Sequence, residues 1–215
     1  MRMRKKKHGA ERIAACAEYL IEDTSLLAKL GSDPSAIFAV EKPIHMEIGC
    51  GKGGFVCELA SRNKGRNYIA LEMVSNVVIS AMENAEKQGA ENVRFLNIRA
   101  ECLQCYIPEG SVENIYLNFS TPLPKLGYAT QRLTHRNFLA IYKKLLKEGG
   151  RIIQKTDNRD FFDFSLEEYR AAGFSLENTT YNLHENGNPE WNIVTEYEKK
   201  WVEQGLPIHR VEAVK

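Results

Sequence analysis

The sequence predicts an α/β protein built on an open, mostly parallel sheet with helices on both faces. Two observations carry this. From residue 43 onward, short apolar runs alternate with amphipathic stretches, strand then helix, many times over. Crossover connections turn such a pattern into a parallel sheet. The first strand also runs straight into a glycine-rich turn, HMEIGCGKGGF (His45 to Phe55), at the kind of strand–helix junction where open sheets hold ligands.

Taken in order, PIHMEIG is the first strand and GGFVCELASRN a helix, with Phe55 and Leu59 on one side. NYIALE is the second strand. SNVVISAMENAEKQG is a helix closed by Gly89, a C-cap residue. NVRFLNI and VENIYLNFS are the third and fourth strands. THRNFLAIYKKLLKEGG is a long amphipathic helix, opened by Thr134 as N-cap and stopped by Gly149-Gly150. RIIQKT is the fifth strand and RDFFDFSLEEYRAAG a further helix. FSLENTTYNL and IVTEYEKKWVEQGLPIHRVEAV alternate in a strand-like way around Gly205-Leu206-Pro207. The loop TPLPKLGYATQR, after the fourth strand, is long for its class and lies at the carboxyl edge of the sheet. Residues 1–42 form an N-terminal basic extension with one helical stretch near 10–30, and residues 43–215 the α/β domain, the whole making a single globular domain.

Composition narrows the class. The chain is 43% hydrophobic and 27% charged, with a mean hydropathy of −0.39 and no apolar stretch of membrane-spanning length. No apolar signal core follows the N-terminus, so a cytoplasmic location is the default. The net charge is +1, but MRMRKKKHGAER gathers Arg2, Arg4, Lys5, Lys6, Lys7 and Arg12 against Glu11. Such a run either holds phosphates or is a solvated tail. Of the five cysteines, Cys102 and Cys105 form a C-x-x-C without a second pair at zinc spacing. Reduced thiols and no metal are expected.

Gly49-x-Gly51-x-x-Gly54 fits a dinucleotide fingerprint, and equally a turn that holds S-adenosylmethionine. Glu47, two residues before the first glycine, separates the two. A carboxylate there suits a ligand carrying an ammonium and a sulfonium, and is a poor neighbour for a pyrophosphate. Glu72, ending the second strand, can accept from ribose hydroxyls in either case.

Read together, these motifs resemble the bacterial tRNA (guanine-N7-)-methyltransferase family. The resemblance runs through MRMR, Ile44 to Gly53, NYIALE (Asn67 to Glu72), YLNFS (Tyr116 to Ser120), KTDN (Lys155 to Asn158) and TEYE (Thr195 to Glu198), in the family's order. It implies a Rossmann-like class I methyltransferase with a seven-stranded, mostly parallel sheet and an antiparallel edge strand. It implies S-adenosyl-L-methionine as methyl donor, tRNA as partner with the guanine in the variable loop, no metal, no membrane, and a monomer or homodimer. By position, Glu47, Gly49, Gly51, Glu72, Arg99, Ala100 and Asn118 would contact the cofactor. Lys125, Asp157, Thr195, Glu196, Tyr197 and Glu198 would form the guanine site, with Thr121 and Asp157 at the chemistry.

The chain departs from the family at three places. NFSTPLPKLGY stands where the family has NFSDPWPKKRH, so Thr121 replaces its catalytic aspartate and Leu123 its tryptophan. The basic cluster there shrinks to Lys125 and Arg132. NIRAE stands for NIDAD, so Arg99 replaces a cofactor-contacting aspartate. Arg99 has no acceptor to offer an adenine amino group; Asn97, Ala100 or Glu101 could substitute, with Arg99 turned outward against an acid. Two rival readings stay open: a non-catalytic tRNA-binding relative, and a methyltransferase of the same fold with another substrate. A nicotinamide-dependent oxidoreductase is disfavoured by Glu47.

Overall fold

A computed structural model describes residues 8–215. The basic run from Arg2 to Lys7 lies outside the described residues. The chain divides into two compact units, one ending at Pro108 and one beginning at Glu109.

The first unit contains helices α1 (Gly9–Ala15), α2 (Thr24–Ser32), α3 (Gly54–Arg62) and α4 (Ser75–Gln88), and strands β1 (Ile44–Ile48), β2 (Asn67–Leu71) and β3 (Val93–Leu96). The strands are parallel, in the order β3-β2-β1. Every residue of β1 and β2 is buried; β2 reads as a near-continuous apolar run after Asn67, whereas β1 alternates in sequence and buries His45 and Glu47 along with its apolar residues. Helices α3 and α4 make successive crossovers in one direction along the sheet, so they share a face and pack together. Val56, Ala60, Val78 and Met82 close the core over Tyr68, Ala70 and Phe95. As expected, α4 stops at Gly89, with φ 59°.

The N-terminal stretch is two helices rather than one. The chain breaks after Ala15, and Leu20 bridges Phe95 of β3. After a 3₁₀ turn at Ala17–Tyr19 it becomes α-helical again only where the Asp23 carboxylate accepts from the Ser25 and Leu26 N–H groups. Tyr19 and Leu20 join the core, and Arg12 grips Glu83 of α4 through two hydrogen bonds of 2.5 and 2.7 Å.

The second unit contains strands β4 (Val112–Asn118), β5 (Leu146–Thr156), β6 (Ser175–Thr180) and β7 (His209–Val214), with helices α5 (Arg136–Leu145), α6 (Arg159–Ala171) and α7 (Glu196–Glu203). Their order is β4-β5-β7-β6, with β4 and β5 parallel and β7 antiparallel to both its neighbours. The reversed strand thus stands one place in from the edge, and β6 forms the edge itself. The direction follows from the connection: Thr180, which ends β6, pairs with Arg210 at the start of β7, so the chain must turn back.

Three local expectations are corrected. Thr134 does not cap α5: its hydroxyl is buried and bonded to Ser165 at 2.8 Å, while His135 Nδ1 accepts from the Asn137 N–H. Helix α5 ends at Leu145, before the glycines. Val112 pairs with Leu146 and Asn114 with Arg151, so residues 147–150 bulge out of the ladder. A Cβ at Gly150 would come within 2.8 Å of the Glu113 and Lys147 carbonyl oxygens, so glycine is required there. TEYE is not part of a strand but the start of α7. Thr195 and Glu198 form a reciprocal capping box, a T-x-x-E signal legible in the sequence.

Candidate active site

The residues singled out from the sequence fall into two sets, one in each unit. In the first unit the turn between β1 and α3 is pinned to the end of β2: the Gly49 and Cys50 N–H groups both donate to the Leu71 carbonyl at 2.9 Å. The Gly51 N–H donates to Glu72 Oε2 at 3.1 Å and the Val74 N–H to Glu72 Oε1 at 2.9 Å. Glu72 therefore organises the turn as well as standing beside it. A carboxylate has about four acceptor positions, so both oxygens keep capacity for ligand hydroxyls.

Gly49, Gly51 and Gly53 all have positive φ, 78°, 56° and 75°. Their surroundings differ. A Cβ on Gly51 would meet nothing within 4 Å, whereas one on Gly53 would stand 3.0 Å from the Ala81 Cβ of α4. The glycine that lets two helices approach is therefore Gly53 and not Gly54, the third glycine of the fingerprint, which has open space around it.

Glu47 is 3% exposed and aligned with Ala70 across the β1–β2 ladder. Its charge is felt locally. Burial raises the Cys57 thiol to about 12, and Glu47 adds to that rise. Cys50 is raised well above its usual value by burial first, then by Glu47 and Glu72. Two acids beside a glycine turn with open space at Gly51 make an acceptor-rich, negatively charged setting. Those residues fit S-adenosylmethionine, and they do not fit a pyrophosphate.

Arg99 is exposed and turned towards an acid. Its guanidinium bonds the Glu101 carboxylate at 2.7 Å, and both side chains are exposed. Strand β3 ends at Leu96, so no strand alternation carries residues 97, 99 and 101 onto one face. Asn97 instead supports the β2 end: it donates to the Glu72 carbonyl at 2.6 Å and accepts from the Ser75 hydroxyl at 2.8 Å. Ala100 is buried and opens a short 3₁₀ turn.

In the second unit three motif segments are knitted together. Asn118 ends β4 in register with Lys155 of β5, and the Phe119 N–H donates to the Lys155 carbonyl at 2.8 Å. Phe119 has φ 52°, an outlier for an aromatic residue, and stacks on Tyr197 at 6.3 Å with 21° between the rings. The Lys155 ammonium meets Glu198 at 2.5 Å. YLNFS, KTDN and TEYE thus share one network.

That network resets the part of Glu198. Its side chain has no exposed surface and accepts from Lys155, from Asn192 at 2.6 Å and from His184 at 2.8 Å. It holds the first turn of α7 in place rather than presenting a carboxylate to a ligand. Thr195 is its capping partner, and only Glu196 and Tyr197 are exposed. Asn192, His184, Phe119 and the role of Lys155 were missed from the sequence; the Lys in KTDN was the one visible signal.

Asp157 follows β5 and is half-buried. It is not the cap of α6: Asn158 fills that place, accepting from the Phe161 N–H at 2.8 Å. Thr121 and Lys125 are exposed on the loop after β4. Arg132, read as the remnant of a basic cluster, is 8% exposed. It donates to the Leu123 carbonyl at 3.1 Å and lies 4.3 Å over the Phe164 ring, so it braces the loop. Among the described residues no group of three His, Cys, Asp or Glu could hold a metal ion. No helix among them is long and apolar enough to cross a membrane.

Comparison with known proteins agrees with this arrangement. Among solved structures, a 16S rRNA methyltransferase, KamB, superposes with a TM-score of 0.62 at 14% identity, covering 90% of this chain and 94% of that one. A SAM-dependent methyltransferase from Aquifex aeolicus superposes with a TM-score of 0.55 at 16% identity, covering 90% and 99%. Likeness at that level shows the fold, that of the class I methyltransferases. A family model described as a putative methyltransferase matches residues 41–211. A tRNA (guanine-N(7)-)-methyltransferase from Geobacillus kaustophilus (strain HTA426) is 40% identical over 215 residues, covering 100% of this chain and 97% of the relative. One from Bacillus subtilis (strain 168) is 38% identical over 212 residues, covering 99% and 98%. With likeness of this degree from end to end, the chain belongs to the tRNA (guanine-N(7)-)-methyltransferase family.

Proposed function

We propose that this protein methylates N7 of a guanine in the variable loop of tRNA, with S-adenosylmethionine as donor, in the cytoplasm. The observation that carries the reaction is the 40% identity, over the whole chain, to a relative of that name. The site chemistry supports the donor: a buried Glu47, a Glu72 with acceptor capacity, and the left-handed turn through Gly49 with open space at Gly51 would hold it. When bound, it supplies a methyl group on a positively charged sulfur.

The rest falls to side chains. Guanine N7 has a free lone pair at neutral pH, so no base must first remove a proton. Positive charge passes onto the purine as the methyl transfers in line. The protein must orient the base and offer a field that tolerates that charge. Asp157, half-buried and not engaged in capping α6, is the acid in the second unit suited to this. Thr121 offers a hydroxyl acceptor without charge. Tyr197, stacked on Phe119, gives a guanine an exposed aromatic face to lie on. Lys125, Thr195 and Glu196 complete the substrate set, with Glu198 fixing the first turn of α7 that carries Thr195 and Glu196.

The test is to incubate the protein with labelled S-adenosylmethionine and unmodified tRNA, then cleave the product at 7-methylguanosine. Label at a single variable-loop guanine is the expected result. Binding without transfer, or label on another atom, overturns the reading.

A further inference from the structure

The second unit carries two exposed aromatic rings, each backed by a guanidinium, that the site above does not use. Trp191 is 59% exposed, and the Arg210 guanidinium lies 4.7 Å from its ring centre. Tyr181 is 40% exposed, with the Arg159 guanidinium 4.1 Å from its ring centre. Both pairs lie near the carboxyl end of β5. Arg210 is in register with Lys155 and His209 with Thr156, the two residues before Asp157; Tyr181 packs edge-on against His209; Arg159 follows Asp157 by two residues.

Each guanidinium already has a carboxylate partner. Arg159 pairs with Asp163 at 2.7 Å, and Arg210 pairs with Glu212. Arg210, enclosed and paired, is withdrawn from phosphate and serves to back the indole. Arg210 is 8% exposed, so it covers its side of the indole from within and leaves the other side to solvent. A large apolar ring backed on one side and open on the other beside a candidate RNA site is a stacking platform: every base has a π-face, and stacking needs no further charge. An apolar protein interface is the poorer match, because charged residues are depleted at the centres of such interfaces.

We propose that Trp191, backed by Arg210, is a stacking platform for an unpaired tRNA nucleobase next to the target guanine. Tyr181, backed by Arg159, is a second and more recessed one. The inference rests on the tRNA reading above and adds a surface to it. Because it acts by stacking, it contributes affinity without contributing to salt dependence.

The chain has two tryptophans, Trp191 and Trp201. In Trp201→Phe, Trp191 is the sole indole, and unmodified tRNA should quench its emission on binding. In the otherwise native chain, Trp191→Ala should weaken tRNA binding about tenfold. The slope of affinity against salt, and kcat at saturating tRNA, should stay as in the wild type. Trp191→Phe, which keeps an aromatic face, should recover most of the affinity. Unchanged affinity in Trp191→Ala, or no quenching in Trp201→Phe, overturns the proposal. So does quenching that follows protein concentration without RNA, which would assign the ring to contact between copies. Failure of the wild type to methylate tRNA strikes the functional reading instead, and is seen before any variant is made.

Discussion

The Lys155 ammonium and the Glu198 carboxylate meet at 2.5 Å, with side chains 4% and 0% exposed. The pair joins the carboxyl end of β5 to the first turn of α7. It is well satisfied: Lys155 also donates to Asn192 Oδ1 at 3.1 Å and to the Ile193 carbonyl at 2.8 Å. Removing one partner would leave the other charge buried without its counter-ion, which typically costs about 3–5 kcal/mol. Lys155→Met and Glu198→Leu should each lower the denaturation midpoint sharply. The double variant should lose less than the two single losses added together. A double-mutant cycle in urea measures this, and strict additivity would show that the two groups do not act as a pair.

Acid should loosen the second unit first through its paired carboxylates. Burial pushes the Glu198 carboxyl up, but the Lys155 charge and hydrogen bonds from Lys155, Asn192 and His184 bring it below the ordinary 4.5. Glu168 is held below 4.5 by the Arg136 side chain, which outweighs burial. A carboxyl lowered on folding contributes stability that is fully present above its unfolded value and is lost as pH falls through its folded value. His209 adds a term at milder pH. Burial lowers it from 6.5, against the opposing hydrogen bond to the Tyr181 carbonyl, so the unfolded chain takes up its proton first. Melting temperature should therefore begin to fall as pH drops below about 6.5, and fall more steeply below about 4.5. His209→Gln should remove the first step and leave the second.

Such couplings mark where sequence reading stopped. The sheet was legible because Ile44, Met46 and Ile48 and the run Tyr68–Leu71 supply apolar strand segments at the right spacing between helical stretches, although His45, Glu47 and Asn67 are buried with them. Gly89 was legible because a left-handed C-cap is a local property. Thr134 misled because a threonine before a helix can equally well bond sideways, and here it finds Ser165. Arg132 looked like surface charge because nothing local records that Phe164 and the Leu123 carbonyl would enclose it. In the candidate site, Glu47 and Glu72 were readable from their places beside the glycine turn. The burial of Glu198 was not, since it depends on a lysine 43 residues away.

The glycines of the first turn should separate by substitution. Gly53→Ala places a methyl 3.0 Å from Ala81 and forces a left-handed backbone at φ 75°. The backbone alone costs about 1–2 kcal/mol, and the contact with α4 adds to it. Gly51→Ala has the same backbone cost, at φ 56°, and open space for the methyl. Gly53→Ala should thus be the less stable of the two. Gly51→Ala should show the larger loss of S-adenosylmethionine affinity relative to its stability loss. Thermal melts with and without the donor, and calorimetric titration, measure the two quantities. Equal affinity losses at equal stability would mean that Gly51 does not face the donor.

Thiol chemistry offers an independent check on the first unit. Cys16, Cys50 and Cys57 are buried, while Cys102 and Cys105 are exposed. Burial, followed by the Glu86 hydrogen bond, raises Cys16 to about 11, and burial raises Cys57 to about 12. Since the thiolate is the reactive form, a neutral-pH aromatic disulfide reagent should react promptly with Cys102 and Cys105 alone. The other three should react only on unfolding. Mass mapping after a short exposure reads this directly, and early label on Cys50 would show that the glycine turn opens in the native state.

Thr121 bears on how fast the enzyme can be. It is exposed and lies between two residues with left-handed backbone, Phe119 at φ 52° and Leu123 at φ 47°. Arg132 braces the loop through the Leu123 carbonyl, so Thr121 sits on an ordered segment rather than a loose one. An exposed substitution there should change stability by no more than about 0.5 kcal/mol. Thr121→Asp adds a fixed negative charge to this loop. If that carboxylate faces the guanine, positive charge developing on the base is stabilised in the transition state more than in the ground state. The expected result is a rise in kcat of about tenfold or more, which corresponds to about 1.4 kcal/mol, with KM for tRNA little changed. Asp157→Asn should lower kcat in both backgrounds. An unchanged kcat in Thr121→Asp, with melting temperature intact, would mean that this loop does not bring residue 121 to the base and that Asp157 alone supplies the field.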